Sequence, residues 1–135
     1  MKSVFVSLAM TMVLASLSIQ PANAQGAPPE WMKQTFPEAG LNAAWEEYKA
    51  IYNPKGALDE KTKELIGLAV AAQIPCQYCV YGHTAFAKKA GATDAQIKEA
   101  IAAAALTRKW STVLNGNALN FEKFRQEIDA ALASQ

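Results

Sequence analysis

Cysteine occurs only twice and histidine only once in the 135 residues, and all three fall within "IPCQYCVYGH", residues 74–83. A four-coordinate zinc centre built on them would need a carboxylate or a second chain to complete its ligands. Covalent haem attachment needs a histidine directly after the second cysteine, and Val80 stands there. Charge of one sign is lacking too: 13 Lys+Arg face 12 Asp+Glu, a formal net charge of +1. Electrostatic nucleic-acid binding needs a concentrated basic surface, and the pairs Lys88-Lys89 and Arg108-Lys109 read as solvated helix faces. There is no Gly-rich phosphate loop, no internal repeat and no stretch that alternates like a strand.

A long hydrophobic run is also missing. Val4 to Leu17 is mostly apolar but shorter than the ~20 residues that cross a bilayer, and Ser7, Thr11 and Ser16 interrupt it. Preceded by Lys2 and followed by the small-x-small pattern ending at Ala24, it reads as a signal peptide over residues 1–24, cut before Gln25. Cleavage leaves 111 of the 135 residues, the usual size for one domain, and removes only Lys2 among the charges, so the balance falls from +1 to zero. The expected location is periplasmic or secreted, with no membrane association after cleavage. Thiols there tend to be oxidised.

Residues 25–40 begin QGAPPE and read as an extended lead-in, because a residue before proline is pushed out of the helical region. Residues 41–135 read as an all-α domain. "LNAAWEEYKAIY" carries apolar residues at helical spacing and is stopped by Asn53-Pro54-Lys55-Gly56. Asp59 caps a helix to about Ile74, and Pro75 suits the first turn of the next, which runs from Cys76 to about Ala90 before Gly91. Thr93 and Gln96 make a capping box for a fourth helix, and Phe124, Ile128 and Leu132 mark a last one. The run Ala100–Ala105 is apolar nearly all round, so cover from a second subunit is expected. Trp31, Trp45 and Trp110 read as core or interface packing, as does Tyr81.

On the helix after Pro75, Cys76 and Cys79 are three apart and Cys79 and His83 four apart, so the three side chains share one strip. A C-x-x-C thiol in a first helical turn has a lowered pKa and is present more as the reactive thiolate. A purely structural disulfide would close only four residues and stabilise by roughly 2 kcal/mol. The favoured reading is a redox-active Cys76–Cys79 dithiol served by His83 as proton carrier, with no metal and no cofactor. A thioredoxin domain would set the motif in a βαβ context, which is absent. Spacing leaves the nucleophile open: helix position favours Cys76, the histidine one turn on favours Cys79.

"KELIGLAVAAQIPCQYCVYGHTAFAKKAGATDAQIKEAI", Lys63 to Ile101, resembles the core of the carboxymuconolactone decarboxylase-like family, in its AhpD alkylhydroperoxidase branch. The branch is marked by a glutamate, eleven residues, then C-x-x-C-x-x-x-H, which here fall on Glu64, Cys76, Cys79 and His83. The decarboxylase branch does not use this cysteine pair, which weighs against decarboxylation. The resemblance implies an AhpD-like helical domain over 41–135 that assembles as a homo-oligomer, a trimer or hexamer. It also implies thiol peroxidase activity on a hydroperoxide, with Cys79 attacking, Cys76 resolving, Glu64 and His83 relaying protons, and a thiol reductant, here unidentified, closing the cycle. Without the motif Glu64 would pass for an exposed helix residue. Tyr78 stands where the type often has a relay histidine, and an unperturbed phenol, pKa ~10, does not exchange protons readily near neutrality. Export separates the chain from the lipoylated cytosolic partner of the well-known AhpD system. Two alternatives follow: thiol–disulfide exchange with other proteins, and a non-catalytic helical binding or assembly protein.

Overall fold

The computed structural model describes residues 26–134; the expected signal peptide, residues 1–24, lies outside them. Among the described residues there are six helices and no strand: α1 (Glu30–Thr35), α2 (Glu38–Ile51), α3 (Glu60–Gln73), α4 (Gln77–Lys89), α5 (Asp94–Gly116) and α6 (Phe121–Ala133). The chain divides into two compact units, one ending at Trp45 and the other beginning at Glu46.

In the first unit the expected extended lead-in is shorter than residues 25–40. Only 26–29 lack helical structure before α1. Pro29 is the reason, because its fixed φ of −64° suits an N-cap, and its carbonyl accepts from the N–H groups of Met32 and Lys33. Pro37 then forces Phe36 into the extended region and ends α1 after six residues. Beyond it α2 starts at Glu38, three residues earlier than periodicity indicates. Trp45 donates from its indole N–H to the carbonyl of Gly26.

The second unit holds the site. Asp59 caps α3 by accepting from the Thr62 N–H at 2.7 Å, and that bond holds its carboxyl below the usual carboxylate range. A short connection through Ile74 and Pro75 folds α4 back onto α3, and α5 packs chiefly on α3. Gly91 ends α4 at φ 85°, a left-handed position suited to glycine, and the Ala92 N–H reaches back to the Ala87 carbonyl at 2.8 Å. Thr93 and Gln96 form the expected capping box of α5, with bonds of 3.0 and 3.1 Å. Pro75 departs from expectation: it lies outside α4, whose N-cap is Cys76.

The core is small. Leu68 of α3 is fully buried and meets Ala87, Ala92 and Ile97, with Leu65 and Val80 packed around them. Alanines at the crossing let the helix backbones come close, so Leu68 supplies most of the apolar volume there. Leu68→Ala is expected to cost about 3 kcal/mol in unfolding free energy, read from the denaturant midpoint. An unchanged midpoint would mean that this crossing does not hold the unit together. Beyond Ile97, α5 buries nothing further, and α6 buries nothing. Leu106, Trp110, Phe121 and Leu132 are all exposed, as are Trp31 and Tyr81. Among the described residues, Trp31, Trp110 and Tyr81 are therefore not core.

Candidate active site

Glu64 lies in the first half of α3, on the strip that continues through Gly67 and Ala71 at helical spacing. That strip faces α4, so Glu64 is only 3% exposed. It is the one buried charged residue among those described. A buried carboxylate requires a polar partner, and it has one in His83, whose Nδ1 lies 2.7 Å from its Oε2. With Glu64 as the carboxylate, which only accepts, the imidazole donates from Nδ1, and Nε2 is then the nitrogen that can take or return a proton. The inward orientation of Glu64 follows from α3 packing its polar-interrupted strip on α4, which one sequence does not reveal.

One turn before His83 on the same helix stands Cys79, which is joined to Cys76 as a disulfide with an S–S distance of 2.10 Å. Cys76 is the N-cap of α4, and its sulfur accepts from the Cys79 N–H at 3.2 Å. When the pair is reduced, that same donor and the positive helix end favour a thiolate at Cys76. Cys79, in contrast, shares a cleft of about 470 Å³ with His83. Leu58, Ile66, Val70 and Ile74 give the cleft an apolar wall. The last three recur every four residues along α3 and its C-cap and are each at least half exposed.

Two features escaped the sequence reading. Tyr52, just past α2, stacks on His83 with centroids 5.8 Å apart, and Tyr48 stacks on Tyr52 at 4.9 Å. Both phenols are pushed above their usual pKa, by burial first and then by the negative charge of Glu64. They stay neutral at physiological pH and titrate only in a strongly alkaline range. Gly67 is the second feature. A Cβ there would lie 2.6 Å from Cε1 of His83, 2.7 Å from Nδ1 and 2.8 Å from Nε2. The signal available for it was an isolated glycine inside a helical run. Tyr78, at the position of the family's additional histidine, is 81% exposed and turned to solvent. Among the described residues no group of three or more His, Cys, Asp or Glu is arranged to hold a metal ion.

Residues 39–122 match the Carboxymuconolactone decarboxylase family. A curated relative, "Uncharacterized protein 4 in cox locus" of Paracoccus denitrificans, is 38% identical over 79 residues, 58% of this chain and 71% of that protein. Among solved structures, the alkylhydroperoxidase AhpD core of Rhodospirillum rubrum is similar with a TM-score of 0.57 and 35% identity. That match covers 61% of this chain and 60% of the other.

Proposed function

The chain belongs to the carboxymuconolactone decarboxylase family, and from that membership and the AhpD-like fold we propose that it is an exported thiol peroxidase acting through Cys79, Cys76, His83 and Glu64. The observation that carries this reading is the Glu64–His83 pair at 2.7 Å, with His83 and Cys79 lining one cleft. In the reduced protein, Nε2 of His83 accepts the Cys79 proton. The thiolate attacks the terminal oxygen of a hydroperoxide, the O–O bond breaks, and the imidazolium returns the proton to the departing alkoxide. Cys79 is then a sulfenic acid. The Cys76 thiolate attacks its sulfur, a disulfide forms, and the hydroxide that leaves is protonated to water. Two electrons have passed from two thiols to the peroxide, and a thiol reductant restores them.

The apolar wall beside Cys79 supports an organic hydroperoxide with a hydrocarbon tail as substrate. Export through residues 1–24 would place the reductant outside the cytosol. The open apolar faces of α5 and α6 support a homo-oligomer, trimer or hexamer, as the state in which these faces are covered. A second reading, exchange with protein disulfides, is favoured by the exposed Tyr78 and Tyr81 on the helix that carries the cysteines. Stopped-flow mixing of the reduced protein with cumene hydroperoxide, hydrogen peroxide and an oxidised protein disulfide separates the two. The expected result is loss of two thiols per chain with cumene hydroperoxide, faster than with the other oxidants. Rapid oxidation by the protein disulfide alone would replace the peroxidase reading with exchange, and inertness to all three would leave an assembly role.

A further inference from the structure

The geometry assigns Gly67 and Tyr52 as positioning residues for His83: the missing side chain on α3 admits the imidazole against the helix backbone, and the Tyr52 ring holds it there. A Cβ at Gly67 would come within 2.6–2.8 Å of three consecutive ring atoms. In-plane approach beyond Cε1 would leave both nitrogens well over 3 Å away, so near-equal distances put Gly67 over the face of the ring. Real Cβ contacts essentially never come below 3.0 Å, so a side chain there would force a shift. Glycine within a helix is destabilising relative to alanine, because it loses more backbone freedom on folding. Gly67 is therefore a position where helix stability and the placement of His83 oppose each other.

Glu64 and Gly67 are three apart on α3 and share a face. The first binds the Nδ1 end of the imidazole and the second makes room for its body. Tyr52 adds a ring at 5.8 Å, inclined by 25°. Together they restrict rotation of His83 about its side-chain bonds and keep Nδ1 on Glu64, so that Nε2 is the nitrogen left for Cys79. Without this restraint the imidazole is free to take its other tautomer, in which Nε2 carries the proton and cannot accept one.

The peroxidase reading enters only the kinetic half of the test. His83 is the sole histidine, so in the full chain lacking any histidine tag its ¹⁵N shifts report the tautomer directly. The wild type is expected to show Nδ1 protonated. Gly67→Ala is expected to move the signal toward the Nε2-protonated form without lowering the melting temperature, and Tyr52→Leu to do likewise, whereas Tyr52→Phe, which keeps the stack, retains the wild-type tautomer. The Gly67→Ala rate of thiol oxidation should fall about 100-fold for hydrogen peroxide and cumene hydroperoxide alike, since the defect lies at the proton carrier. An unchanged tautomer in folded Gly67→Ala would overturn the assignment. Should that variant not fold, an unchanged tautomer in Tyr52→Leu would overturn it equally. A displaced tautomer with wild-type kinetics would uphold the assignment and remove His83 from the proton transfer of the peroxidase reading.

Discussion

Cys79→Ser is expected to reduce hydroperoxide-dependent oxidation by more than about 1000-fold, because a serine hydroxyl is not ionised near neutrality and is a poor nucleophile toward an O–O bond. Cys76→Ser should behave differently. Its Cys79 still attacks, one thiol per chain is lost instead of two, and the sulfenic acid persists long enough to be trapped by a cyclic 1,3-dione or to oxidise further to the sulfinic acid. Mass spectrometry of the two variants, after one equivalent of peroxide with the dione and after excess peroxide without it, reads these outcomes. The contrast matters because the structure sets two preferences against each other. Cys76 is the N-cap and its sulfur receives a backbone N–H, while Cys79 shares the cleft with His83. A trapped sulfenic acid at Cys76 in Cys79→Ser would show that helix position outweighs the histidine, and would reverse the assigned roles.

The second large effect is expected at Glu64. Glu64→Ala removes the acceptor that fixes Nδ1 of His83, and the oxidation rate should fall by about 100-fold, in the range of losing one participant in proton transfer. Glu64→Gln tests charge separately from hydrogen bonding. Its amide oxygen still accepts from Nδ1, so the imidazole stays in place, but the neutral group no longer favours the imidazolium that forms when Cys79 gives up its proton. An intermediate loss is expected. Stability should respond in the opposite sense: a carboxylate 3% exposed costs desolvation, so Glu64→Gln should unfold at an equal or higher denaturant concentration than the wild type. A Gln variant with full activity would show that the negative charge has no part in the chemistry.

The chain also illustrates why local signals and packing carry different information. Asp59, Gly91 and the Thr93–Gln96 box delimit α3, α4 and α5 as the sequence indicates, because caps act within one turn and depend on immediate neighbours. Pro29 and Pro37 were equally local, yet they bracket a helix where an extended lead-in is the first expectation, since a proline that opens a helix and one that forbids it look alike until the following residues are placed. The spacing of Cys76, Cys79 and His83 was legible because one helix and its N-cap carry all three.

By itself, then, the sequence determined the all-α class, the helix limits set by caps, and the shared strip of two sulfurs and one imidazole, all of them consequences of a 3.6-residue period and short-range hydrogen bonds. Only the tertiary structure decided that Glu64 points inward to meet His83, that Gly67 and Tyr52 border that imidazole, and that Tyr78 and Tyr81 do not join them. Those facts depend on which face of α3 meets α4 and on where the chain after α2 returns, and contacts between residues far apart in sequence leave no periodic trace in a single chain.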